Sequence, residues 1–101
     1  MQDLIEKITQ WHHDRNLIDG STDLAQFAKL VSEVGELGDG IGNGEDLSDH
    51  IGDIIVVLVN IAERNGLSID QCLATAWEDI KGRRGRMSDA GVFVKDLPVG
   101  E

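Results

Sequence analysis

Apolar residues recur along this chain at spacings of three and four, separated by short polar or glycine-rich breaks. The pattern predicts four helices, near 3–18, 22–38, 45–65 and 69–81. In the first, Leu4, Ile5, Ile8, Trp11 and Leu17 fall mostly on one stripe, with Glu6, Lys7 and Arg15 outside it, and Asp19-Gly20 marks its end. Ser21-Thr22-Asp23 offers capping oxygens to the second helix, whose stripe is Leu24, Phe27, Leu30, Val31, Val34 and Leu37. Gly38, Gly40, Gly42 and Gly44 are expected to break that helix into a flexible loop. The third segment runs from Glu45-Asp46 to Asn65, with Gly66 as its stop. Its stretch 51–61 is apolar nearly all round, but the segment is too long for a typical strand, so we read a helix buried on most sides. In so small a domain, that burial predicts a partner subunit over one face. Ser68-Ile-Asp-Gln71 has capping-box spacing and opens the fourth helix, with Leu73, Ala76, Trp77 and Ile80 as its inner stripe. The segment from Gly91 to Pro98 makes a short extended arm or strand, which Pro98 confines to an edge. The expected fold is all-α, a four-helix-type bundle with a short extended C-terminal tail, as a single domain over 1–101.

Composition narrows the picture. With 101 residues, 41% of them hydrophobic, the chain can build one core without staples. A net charge of -10 argues against a general nucleic-acid binder, which needs a basic footprint. The longest apolar run, Ile54 to Val59, is too short to span a bilayer, so no membrane association is expected. The acidic, amphipathic start of the chain does not read as a secretory signal. The one cysteine, Cys72, excludes an internal disulfide and reads as a small core residue, with a reducing cytoplasm as the simplest setting. His12 and His13 are adjacent and point about 100° apart. They read as exposed or capping histidines near a helix end. Trp11 and Trp77 read as core packing rather than as platforms for a nucleotide base.

Two acidic pairs lie on the second and third helices. Glu33 and Glu36 stand at i, i+3, and Asp49 and Asp53 at i, i+4. Glu33 lies between Leu30 and Leu37, at the margin of the apolar stripe, where a carboxylate is costly unless it is paired or binds a metal. Lys29, one turn earlier, offers an ordinary salt bridge as the simpler explanation. Like charges at these spacings repel, and a hard divalent cation held by several carboxylate oxygens would reverse that. Beyond the fourth helix, Lys81, Arg83, Arg84 and Arg86 fall within six positions. A Mg²⁺ site with such cations nearby suits a polyphosphate substrate.

At these residues the sequence resembles a known family. Leu30-Val-Ser-Glu-Val-Gly-Glu-Leu37, followed by Asp49-His-Ile-Gly-Asp53 and an apolar run, looks like the MazG-like all-α nucleoside triphosphate pyrophosphohydrolases, whose hallmark is ExxE, a spacer, then ExxD. The segments from Ala76 to Met87 and from Gly91 to Lys95 resemble the C-terminal part of short, single-domain, phage-type members. The resemblance implies Mg²⁺-dependent (or Mn²⁺-dependent) hydrolysis of a nucleoside triphosphate to the monophosphate and pyrophosphate, by a homodimer or homotetramer. It implies Glu33, Glu36 and Asp53 as metal ligands, with Glu33 or Glu36 also orienting or deprotonating the attacking water. Lys81 and Arg83 or Arg84 would hold phosphates, and Asn60, two turns beyond Asp53, either contacts the nucleotide or is a hydrogen-bonded buried amide. The chain departs from the family at position 50, where His50 replaces the first Glu of ExxD. Asp49 is the substitute ligand, and His50 can itself ligate a metal or hydrogen-bond its water. The alternative reading is a catalytically weakened nucleotide-binding or regulatory protein on the same fold.

Overall fold

The computed structural model describes residues 2–96. The fold is all-α, as the hydrophobic periods predict: α1 (Gln2–Asp14), α2 (Asp23–Gly42), α3 (Ser48–Arg64) and α4 (Ile69–Ile80), followed by β1 (Gly85–Met87) and β2 (Phe93–Lys95). The chain divides into two compact units, Met1–Ile69 and Asp70–Glu101.

In the first unit, α3 is the central helix, packed against α2 on one side and α1 on the other. Val57, Val59 and Ala62 of α3 form the core with Ile5 and Ile18. The three helices end alike. Leu17 N–H bonds to His12 O (2.9 Å) and Asn16 N–H to His13 O (3.0 Å), with Asn16 in the left-handed region at φ 57°. Glu45 with Gly40, and Leu67 with Ala62, repeat the long bond at 2.9 Å around Gly44 (φ 68°) and Gly66. This double closure satisfies carbonyls that the helix leaves without partners.

The helix boundaries differ from the expected ones in three places, each for a local reason. α1 stops at Asp14 rather than near 18, because Asn16 tolerates the left-handed turn that glycine was expected to supply at Gly20. α2 runs through Gly38 and Gly40 to Gly42, so the loop expected from Gly38 onward begins only at Asn43 and keeps Gly44 alone of the four glycines. Gly40 is there for close approach: a Cβ on it would lie 2.8 Å from Cδ2 and 2.9 Å from Nε2 of His50. α3 begins at Ser48 rather than 45, because Asp46 Oδ1 accepts from Ser48 N–H (2.8 Å) and Ser48 Oγ–H (2.7 Å), forming a turn ahead of the helix.

Polar ties join α1 and its following loop to α3. His12, expected to be exposed or capping, is 3% exposed, and its Nε2 donates to Val56 O at 2.9 Å. His12 Nδ1 therefore accepts, and Asn60 Nδ2 donates to it (3.2 Å) and to Leu17 O (2.9 Å). His13 is exposed and pairs with Glu63 at 2.6 Å. Arg64 donates to Ile18 O and, at 3.0 Å, to Asp23 Oδ1.

In the second unit, α4 starts where Ser68 and Gln71 predicted. Its expected inner stripe is open to solvent, with Leu73, Trp77 and Ile80 all exposed. Cys72, expected in the core, is also exposed. β1 and β2 pair antiparallel in the register Gly85 with Lys95, Arg86 with Val94 and Met87 with Phe93. The extended arm is thus half of a hairpin whose other strand comes from the basic segment. Pro98 lies outside the described residues.

Candidate metal centre

Glu33 and Glu36 are carried by α2, and Asp53 by the facing turn of α3. One carboxylate oxygen from each lies within 4.8 Å of the others. The helix period explains the pairing: i, i+3 places the two glutamates one above the other, and the α2–α3 packing brings Asp53 across to them. The three sit on a gradient of burial, Glu33 buried, Asp53 intermediate and Glu36 exposed.

Glu33 shows the chemistry of the cluster most clearly. It is 5% exposed, as its place at the margin of the apolar stripe predicted. Its Oε1 accepts from Lys29 Nζ at 3.0 Å, while its buried Oε2 has no hydrogen-bond partner. The Lys29 hydrogen bond holds the Glu33 carboxyl below the usual carboxylate range, against the opposing effect of burial. The same bond holds the Lys29 ammonium above its ordinary value, with smaller contributions from Glu36 and Asp53. A buried anionic oxygen without a donor, beside two further carboxylates, fits a hard divalent cation that takes several oxygen ligands.

His50 stands beside this group but is not one of the three. Its Nε2 is 3.0 Å from Glu45 Oε1, its ring lies against Gly40, and its buried Nδ1 has no partner. The Glu45 hydrogen bond raises the His50 pKa, with smaller contributions from Asp49 and Glu36, and His50 in turn lowers that of Glu45. Sequence reading overlooked Glu45 as a site-forming residue. Its signal was the i, i+5 spacing to His50 across a helix start. Asp49, expected to replace the missing family glutamate, does not join the three converging carboxylates; it is exposed, and its charge acts on His50.

Asn60, the candidate nucleotide contact, is 0% exposed and is committed to His12 and Leu17 between α1 and α3. Its amide nitrogen is thus hydrogen-bonded within the fold, while its buried Oδ1 has no partner. Lys81, Arg83 and Arg84 belong to the second unit. There Lys81 pairs with Glu78 at 2.6 Å and Arg83 with Asp79 at 2.7 Å, while Arg84 makes no ion pair among the described residues. Trp11, expected in the core, is 43% exposed, and the Arg15 guanidinium lies 4.3 Å from its ring centroid. Among the described residues, no helix is long and apolar enough to cross a membrane.

Over 67 residues, 64% of its length, the chain is 45% identical to an uncharacterised 18.2 kDa protein from the rep-hol intergenic region of Haemophilus phage HP1. The matched part spans 41% of that relative. Neither a family model nor a solved structure matches the chain.

Proposed function

We propose that this chain is a Mg²⁺-dependent nucleoside triphosphate pyrophosphohydrolase of the MazG-like type, hydrolysing a ribo- or deoxyribonucleoside triphosphate to the monophosphate and pyrophosphate. The observation that carries this reading is the convergence of Glu33, Glu36 and Asp53 from two packed helices, with Glu33 Oε2 buried and unpartnered. Glu33, Glu36 and Asp53 would hold the ion, with Mn²⁺ as a substitute for Mg²⁺. When bound, such an ion supplies charge neutralisation to phosphate oxygens and acidifies water. Glu33, buried and held ionised by Lys29, suits ligation. Glu36, at the exposed rim, is the carboxylate that water reaches, and it accepts the proton as the water oxygen attacks phosphorus. The α–β anhydride bond breaks, its electron pair leaving with pyrophosphate, and the hydroxyl remains on the monophosphate. The apolar residues left exposed on α2 support assembly as a homodimer or homotetramer, and the setting is cytoplasmic nucleotide metabolism.

One observation favours a second reading. His50, where the resembled family has a ligand carboxylate, is held by Glu45 instead. On that reading the chain binds nucleotide but turns it over weakly, in a regulatory role. A pyrophosphate-release assay over the eight common nucleoside triphosphates, with Mg²⁺, Mn²⁺ or EDTA, separates the two. Metal-dependent pyrophosphate release is the expected result. Nucleotide binding with no release, recovered by His50→Glu, supports the second reading, and neither binding nor release rejects both.

A further inference from the structure

We propose that Lys29 is the resident counter-ion of the Glu33–Glu36–Asp53 cluster and is exchanged for the divalent cation when the centre is loaded. This rests on the reading of the cluster as a cation centre. Lys29, Glu33 and Glu36 stand at i, i+4 and i+7 of α2, one face of one helix, with Asp53 brought across from α3.

The Lys29–Glu33 pair is not an ordinary surface bridge. Its ammonium is on a side chain 59% exposed, but its carboxylate is on one 7% exposed. The ammonium therefore reaches in from the solvent side to an anion the helix has turned inward. Lysine ahead of glutamate at i, i+4 is also the weaker order for stabilising a helix, so helix stability does not explain the arrangement. The ammonium sits on Glu33 Oε1 while Oε2 stays without a donor, so Lys29 meets only one of the two buried acceptor oxygens.

A divalent ion bound by oxygens of all three residues would stand next to the same ammonium, and two cations at that separation repel. The two occupancies therefore oppose each other, and the flexible four-carbon stem lets Lys29 swing to solvent without moving α2. Lys29 then does two things. It pairs with one oxygen of the buried carboxylate in the metal-free protein, and it raises the free cation concentration at which the centre fills.

Titration of the whole chain with Mn²⁺, followed through the electron paramagnetic resonance signal of the free ion, tests this. The proteins are the unsubstituted chain, Lys29→Gln, Lys29→Arg and, as a control for net charge, Lys7→Gln on α1. Exchange predicts that Lys29→Gln tightens Mn²⁺ binding by about three- to tenfold, with Lys29→Arg and Lys7→Gln within about twofold of the unsubstituted chain. It also predicts that Lys29→Gln melts below the unsubstituted chain without metal, and that saturating Mn²⁺ closes the gap. Binding that is intact but unchanged or weakened in Lys29→Gln overturns the exchange and leaves the cation centre standing. Equal tightening in Lys7→Gln also overturns it, since net charge then accounts for the effect. No binding by any of the four proteins overturns the centre, and the exchange with it.

Discussion

Glu36 and Asp53 contribute carboxylates to the same cluster from different helices and with different exposure, so neutral isosteres at each separate ligation from folding. Glu36→Gln and Asp53→Asn keep side-chain volume and remove one negative charge each. Both are expected to abolish pyrophosphate release and to weaken Mn²⁺ binding by at least tenfold, with the helical circular dichroism unchanged. Full turnover in both would sink the proposed centre. The His50–Glu45 pair makes a pH prediction whose sign follows from the two shifts. His50 is raised above its ordinary 6.5 in the folded chain, so its contribution is complete below pH 6.5 and is lost as pH rises through the folded value. Glu45 is lowered below 4.5, so its contribution is complete above pH 4.5 and is lost as pH falls through the folded value. The pair is thus worth most between pH 4.5 and 6.5. Urea unfolding of the metal-free chain is expected to show a stability difference against Glu45→Gln near pH 5.5 that shrinks by pH 8.5; a difference independent of pH rejects the ion pair. At this scale much of the cluster was legible. Helical spacing alone put Glu33 at the apolar margin, and the two acidic pairs named three residues that converge. His50 and Glu45 were not read as a unit, because their hydrogen bond forms where Gly40, lacking a Cβ, leaves room for the His50 ring, a feature of the third dimension.

The helix elements were legible where periodicity decides and illegible where a single tertiary contact does. Six apolar positions at three and four spacings made α2 certain to exist, yet its glycines were read as a loop because intrinsic propensity penalises them. Packing against His50 overrides that penalty at Gly40. The buried join of α1 to α3 left no trace in the sequence: His12 and Asn60 are far apart in the chain, and each alone reads as a polar residue on a helix. The hairpin was half visible for a similar reason, since the strand Gly85–Met87 lacks the alternation that marks a buried strand, and all its residues are exposed. The α1–α3 join can be tested directly. Asn60→Ala removes two hydrogen bonds and leaves Leu17 O and His12 Nδ1 without their donor, at a site with no solvent. It is expected to cost about 2–4 kcal/mol in urea unfolding. His12→Ala alone should also destabilise, and the double variant should cost less than the sum, because the two side chains share one bond. Strict additivity would mean that the imidazole and the amide stabilise the fold separately.

For the whole molecule, the question is what covers α2. Leu24, Phe27, Val31, Val34 and Ile41 are exposed there, and their spacing of three, four, three and seven is the repeat of a helix seam. Scattered single apolar residues need no partner, but a continuous stripe along one helix is what subunit interfaces expose when separated. The stripe is distinct from the carboxylate face, since Lys29, Glu33 and Glu36 occupy other positions of the same helix. Self-association through it would therefore leave the cluster in place, and the α2–α3 pair would carry a cation centre on one side and a subunit contact on the other. Sedimentation at micromolar concentration is expected to give a homodimer or homotetramer, with a melting temperature that rises with protein concentration. A charge in the middle of the stripe, Val31→Glu, should dissociate it to monomer and lower the melting temperature while the α2 helix persists. Mn²⁺ binding per chain in that monomer then tests whether the two faces are independent. Retained binding means the carboxylates of one chain suffice. Lost binding, with helicity intact, means that a second copy completes the centre.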